Sequence, residues 1–326
     1  MDIFYPWELL AHWITFSLFH IEKNTHLGDS VLFFFYDSLK IFFLMIVITH
    51  FMSLLRYYLP IKKLRNFLLK HNLFGLDYFL ATIFGSITPF CSCSSIPLFI
   101  GFLKAKIPLG VTFSFMITSP LINEVALALF IGIFGIKITL FYLFAGISIG
   151  MIGGFILGKL NMEKYVEDFI WDIETNKEIV TKKENIKFSA IFKKSSKEAF
   201  SIIKKVALYL IFGIALGAVI HGFIPENFFE SYLQHAGIFS VPLATLFAVP
   251  LYANASAVIP IIESLVGKGV PIGTALSFMM AVVGLSLPEA LILKKVLKWQ
   301  LLATFFAIVT LGIILIGYIF NIILYI

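Results

Sequence analysis

Cys91 and Cys93 stand one residue apart in Thr88-Pro-Phe-Cys-Ser-Cys-Ser-Ser-Ile-Pro97, and the chain has no other cysteine. Thiolates are soft ligands suited to Cu(I), zinc or a trivalent arsenic-like centre, and Ser92 and Ser94 add hydroxyls to the cluster. Free cysteine is also a small hydrophobe that often packs in interiors. Read alone, the pair is open between a ligand site, a redox pair and simple packing. A structural disulfide is disfavoured, because cysteines two positions apart close a ring too small to restrain much of the chain. Two carboxylates raise a second question. Glu124 follows Ser119-Pro120-Leu-Ile-Asn123 and Glu289 follows Gly284-Leu-Ser286-Leu-Pro288, each inside an apolar run. A carboxylate at membrane depth is costly unless protonated, paired or hydrated, so Asn123, Glu124 and Glu289 are candidates for coupling or gating. The competing reading is that each glutamate lies near an interface, or caps a half-helix broken at Pro120 or Pro288.

The elements that position these residues follow from composition. Hydrophobic residues make up 60% of the 326 and charged residues only 13%, far from the balance of a soluble domain, so the chain reads as an all-α polytopic membrane protein. The net charge of +6 then reports topology, and no nucleic-acid partner is implied. Long apolar stretches cover about 31–55, 74–103, 107–134, 138–158, 202–223, 237–266, 270–293 and 299–325. Two of them, 74–103 and 237–266, are interrupted by polar residues and by Pro89 and Pro97 in the first, Pro250 and Pro260 in the second. Proline removes a helical hydrogen bond, so helix breaks are expected at these prolines, and again at Pro120 and Pro288.

The interruptions are related. Ile96-Pro97, Pro108, Gly110 and Ser114-Phe-Met116 recur at a constant offset as Ile259-Pro260, Pro271, Gly273 and Ser277-Phe-Met279, which marks a two-fold repeat. At that offset Cys91 and Cys93 correspond to Asn254 and Ser256, polar but thiol-free. Charge orients the halves. Arg56, Lys62, Lys63, Arg65 and Lys70 follow the first span, whereas 224–236 holds Glu226 and Glu230 and no Lys or Arg, which puts the first segment inside and the second outside. Both assignments hold if 74–103 and 237–266 are re-entrant hairpins from opposite faces and the other stretches span; the alternative is a pair of kinked spans. The expected fold is therefore two inverted repeats, each with spanning helices, a broken re-entrant hairpin and a discontinuous helix. The expected organisation is an N-terminal interfacial segment over 1–28, a first transmembrane repeat over 29–158, a cytoplasmic lysine-rich linker over 159–205 and a second repeat over 206–326. Such repeats with broken segments at midplane are a transporter architecture.

Thr88-Pro-Phe-Cys-Ser-Cys-Ser-Ser-Ile-Pro97, with Thr118-Ser-Pro-Leu-Ile-Asn-Glu124 after it, resembles the signature of the ArsP-type predicted permeases. That family of bacterial and archaeal membrane proteins includes exporters of trivalent organoarsenicals. The resemblance runs from the first span to the last. It implies an efflux permease of the cell (inner) membrane with Cys91 and Cys93 as metalloid ligands, although the second half has no cysteine to offer a third thiolate. The leading expectation is a permease, not an enzyme, that exports a soft, thiol-reactive solute, foremost trivalent organoarsenicals, by alternating access. Its partners would be a small-molecule or metalloid substrate and the lipid bilayer, with no cofactor. Cys91, Ser92, Cys93, Ser94, Asn254 and Ser256 would bind substrate, and a proton gradient acting through Glu124 or Glu289 would drive it, since no Walker-type phosphate loop is present. The alternatives are a Cu(I)-like soft-metal transporter and a membrane thiol oxidoreductase working through the Cys-Ser-Cys pair.

Overall fold

A computed structural model describes residues 5–23, 25–58, 75–88, 92–122, 124–170, 236–251 and 255–324, with isolated helical positions between 196 and 219. Most of the basic segment after the first span, most of the linker, 224–235 and most of the span expected over 202–223 lie outside the described residues. The described helices are α1 (Tyr5–His12, continued as a π-helical stretch Trp13–Leu18), α2 (His26–Tyr58), α3 (Leu76–Ile87), α4 (Ser92–Lys104), α5 (Leu109–Leu121), α6 (Glu124–Lys159), α7 (Ser240–Ala248), α8 (Ala255–Gly267), α9 (Ile272–Gly284), α10 (Leu287–Leu293) and α11 (Trp299–Leu324). The protein is an all-α multi-pass membrane protein. Among the described residues, three apolar helical runs are long enough to cross a bilayer: Leu127–Lys159, Ile272–Leu293 and Trp299–Ile323. The first carries a break at Gly135, whose φ of 79° and ψ of 169° lie in a region open essentially to glycine alone. Residues 136–159 remain, about 36 Å of helix and enough to span.

The chain forms two compact units: Met1–Ile46 with Val206–Pro288 and Ile313–Ile326, and Val47–Lys205 with Glu289–Gly312. In the first, the N-terminal segment folds back along α2. Trp7 meets Phe43 at 5.1 Å between ring centroids, and Phe19 stacks on Phe35 at 5.7 Å. In the second, the first residues of the linker are pinned rather than loose. Glu167 N–H donates to Val296 O (2.9 Å) and Lys298 N–H to Tyr165 O (2.8 Å), and Val166 and Ile170 are buried.

The broken stretches are helical hairpins. α3 and α4, with 12 and 13 residues, are each about 20 Å long or less and too short to span. They turn back on each other: Phe84 of α3 and Phe102 of α4 both pack on Phe115, at 5.6 and 5.2 Å, and Tyr78 and Ala81 pack against the Leu98, Phe102 and Ile107 cluster. A kinked span would hold residues 84 and 102 far apart. In the second half Ser240, at the start of α7, hydrogen-bonds Thr274, at the start of α9 (2.9 Å). The end of α8 turns directly into α9, with Val270 N–H donating to Leu265 O (3.0 Å), so α7 and α8 also lie antiparallel.

The repeat is visible element by element. α8 and α9 begin and end 163 residues after α4 and α5, each with 13 residues. The N-cap prolines Pro108 and Pro271 share one backbone conformation (φ −50°, ψ 137° and φ −57°, ψ 138°). Residues 136–159 correspond to 299–322 at the same offset, and Gly135 corresponds to Lys298, in the turn before α11. These equivalent helices run antiparallel where they meet in the second unit: a Cβ at Gly153 would lie 3.5 Å from Ile308, and one at Gly312 would lie 3.3 Å from Ile149. Antiparallel pairing of equivalent helices is what an inverted repeat produces.

One seam is built twice. Gly110 abuts Gly154 and Gly158, and Ser114 abuts Gly154; Gly273 abuts Gly317 and Asn321, and Ser277 abuts Gly317. Small residues let the backbones touch, which is how helices gain van der Waals contact where lipid removes any hydrophobic drive. A Cβ on Gly273 would collide with the Gly317 carbonyl, whereas one on Gly267 has open space. Gly273→Ala is therefore expected to cost about 1–3 kcal/mol and Gly267→Ala to be neutral or slightly stabilising, as read by thermal unfolding of the purified protein in detergent.

Candidate functional site

The cysteine motif sits at the turn of the first hairpin. Thr88 precedes a proline, which disfavours the helical region at that position; α3 accordingly ends at Ile87 and Thr88 is extended (φ −85°, ψ 120°). Its hydroxyl donates back to Gly85 O at 2.9 Å. Pro89 and Cys91 lie outside the described residues. The chain resumes as helix at Ser92, so Ser92, Cys93 and Ser94 form the first turn of α4, where backbone N–H groups have no partner within the helix and favour negative charge.

Four of the six prolines expected at breaks lie within helices, and two of these correct the reading. Pro97 and Pro260 are the sixth residues of α4 and α8, and both helices run through them. The cost is confined to one carbonyl, because the missing N–H would have served residue 93 or 256, each in the first turn at the hairpin tip. Pro120 lies one residue before the end of α5, and Pro288 is the second residue of α10, where its missing N–H costs little. Pro250 occupies the turn after α7.

The second break of the first repeat follows α5. Ile122 is extended (φ −112°, ψ 108°), Asn123 lies outside the described residues, and Glu124 opens α6. Two buried hydroxyl contacts hold this break. Ser119 Oγ meets Ser95 Oγ at 2.6 Å, with both residues fully buried, so the last turn of α5 is tied to the first turn of α4, two residues beyond Cys93. Tyr142, also buried, donates its hydroxyl to the carbonyl of Leu121, the last residue of α5. Its ring stacks on Phe130 at 4.9 Å, which clamps the two sides of the Gly135 break.

The second repeat is built differently at the same places. Asn254 lies outside the described residues, and Ser256 falls in the first turn of α8. Ser95 and Ser119 correspond to Val258 and Val282, both buried and apolar. The two breaks are joined instead through the main chain, Leu287 N–H donating to Val249 O at 3.1 Å. Glu289 is 1% exposed in the first turn of α10, three residues after the buried Ser286. In the first repeat, then, the Ser95–Ser119 contact ties the first turn of α4, which holds Cys93, to the last turn of α5, five residues before Glu124 opens α6. Among the described residues, no group of three or more His, Cys, Asp or Glu side chains is placed to hold a metal ion.

Ser95, Ser119 and Tyr142 carry no role in the sequence reading. The first two had a signal: at the repeat offset both are valine, as both cysteines are replaced by Asn254 and Ser256. Tyr142 had none, because the backbone break that brings it to Leu121 is not marked by proline.

The family profile ArsP_1, described as a predicted permease, matches residues 26–322. The chain is also similar to the UPF0718 protein MJ0584 of Methanocaldococcus jannaschii, with 24% identity over 80% of this chain and 87% of that one. No solved structure matches it.

Removing the Tyr142 hydroxyl would leave the Leu121 carbonyl buried without this donor while keeping the ring stack. Tyr142→Phe is expected to destabilise the protein by about 1–3 kcal/mol, measured by thermal unfolding in detergent, and the substituted ring would still pack on Phe130.

Proposed function

Because the chain belongs to the ArsP_1 family of predicted permeases and is a multi-pass membrane transporter, we propose that it exports a soft, thiol-reactive solute, and specifically trivalent organoarsenicals. The observation that carries this reading is the Cys-Ser-Cys-Ser sequence at the turn of one hairpin, opposed in the repeat by the thiol-free Asn254-Ala-Ser256. A methylarsenic(III) dihydroxide has two exchangeable positions. Cys91 and Cys93 would each replace one hydroxide, each thiol proton leaving with the displaced hydroxide as water, and no oxidant or reductant is needed. Arsenite, with three exchangeable positions, would find only two thiolates. The N–H groups in the first turn of α4 favour the anionic sulfur. Ser92 and Ser94 would hydrogen-bond the solute in the first repeat, and Asn254 and Ser256 supply the matching polar positions of the second. Glu124 and Glu289, with Asn123, would carry the coupling proton, each carboxylate opening a half-helix in an apolar run.

The test is uptake into everted vesicles, comparing trivalent methylarsenic, arsenite and Cu(I) with and without a proton gradient. Methylarsenic is expected to accumulate preferentially. Cys91→Ser with Cys93→Ser should reduce its accumulation on the order of tenfold or more, while Glu124→Gln or Glu289→Gln should remove the gradient dependence. Preferential Cu(I) uptake would favour a soft-metal carrier. Cycling of the two thiols between reduced and oxidised forms during turnover would favour an oxidoreductase.

A further inference from the structure

We propose that the Ser95–Ser119 hydroxyl pair is the positioning contact that links the cysteine turn to the Glu124 break, so that a change of charge at one is felt at the other. This rests on the reading of Cys91 and Cys93 as the substrate site and Glu124 as a coupling group. The geometry is specific to the first repeat. Ser95 lies in the first turn of α4 and Ser119 in the last turn of α5, both fully buried, with hydroxyl oxygens 2.6 Å apart. Buried hydroxyls have no water to replace a lost partner, so the pair fixes the two turns in one register. Pro97 and Pro120 each remove a backbone bond beside it, from the carbonyls of Cys93 and Met116, so local main-chain bonding there is reduced and the side-chain bond has more to hold. At the equivalent places of the second repeat Val258 and Val282 are buried and apolar, so burial there needs no hydroxyl pair. It occurs in the half that carries the thiols and is replaced by valines in the half that does not. Glu124 opens the helix five residues after Ser119, beyond the end of α5 that Tyr142 also secures.

The experiment needs no arsenical, so its outcome is separate from that of the export assay. In purified full-length protein, the alkylation rate of the cysteines by N-ethylmaleimide is measured with and without Glu124→Gln, first in the parent and then with Ser95→Ala and Ser119→Ala together. Glu124→Gln is expected to change the rate by about fivefold in the parent, the effect of one net hydrogen bond, and to leave it nearly unchanged in the double variant. Ser119→Thr, which keeps a hydroxyl, should restore the parent response. A Glu124→Gln effect undiminished without the two hydroxyls overturns the proposal, as does no effect in the parent or a failure of threonine to rescue. Should the double alanine variant not be recovered folded, Ser95→Val with Ser119→Val, the pairing already used in the second repeat, takes its place with the same two outcomes. Loss of arsenical export with the response intact would count against the cargo and leave this contact standing.

Discussion

The structure depends on one constraint: a backbone polar group in hydrocarbon must find its partner inside the protein. A helix solves this automatically; a break does not. Among the described residues, each repeat nevertheless breaks at the hairpin turn and again after the helix that follows the hairpin. They are tolerable because neighbouring groups serve them. Thr88 bonds back to Gly85, Tyr142 reaches the terminal carbonyl of α5, and the main chain at Leu287 donates to Val249. Non-helical backbone at membrane depth persists where it lines a cavity or a pathway, so the breaks are where a permease has reason to keep them.

The breaks in turn require a rigid frame, and the frame is made of small residues. The Gly110, Ser114 and Gly154 seam and its copy at Gly273, Ser277 and Gly317 bring backbones into contact along helices that are uninterrupted at those positions. Lipid offers such helices no hydrophobic reward for meeting, so close van der Waals contact is what holds them. A larger side chain at any of these glycines would push apart helices on which the hairpins rest. The linker adds a further restraint at the polar end of the second unit, where Val166 pairs with Leu297 and Lys298 lies 3.6 Å from Asp168. That ion pair is largely exposed and contributes little; the backbone bonds beside it do the holding.

Much of this frame could be read from the residues. Pro108 and Gly110 against Pro271 and Gly273 mark the repeat because each serves a backbone requirement, a helix start and a close approach, that leaves few other residue types. The hairpins were legible as polar interruptions in stretches otherwise long enough to span. What prolines meant in detail was not. Pro97 and Pro260 look like breaks, yet a single lost bond to a first-turn carbonyl does not end a helix, and the interruptions fall a few residues earlier. The break at Gly135 escaped notice because glycine in an apolar run reads as a packing residue, and a φ of 79° leaves no trace in composition. Ser95 and Ser119 were hidden for another reason: they are far apart in sequence and meet only once the hairpin closes.

Comparison of the two halves then separates framework from chemistry. An internal repeat supplies each position with a control that folds in the same way. Where both copies keep a residue, as at Gly110 and Gly273 or Ser114 and Ser277, packing explains it, because both seams need it. Where the copies differ while the helix contact persists, packing is satisfied by either choice and cannot explain the difference. Among the positions where the copies differ are Cys91, Cys93, Ser95 and Ser119 against Asn254, Ser256, Val258 and Val282. Two would bind a soft solute and two connect that turn to the next break. Valine at 258 and 282 shows that burial alone asks for no hydroxyl there; in the first repeat the two hydroxyls offset each other's desolvation by bonding together. The hydroxyl pair and the thiols thus occur in the same half of the repeat, and valines stand where the thiols are absent.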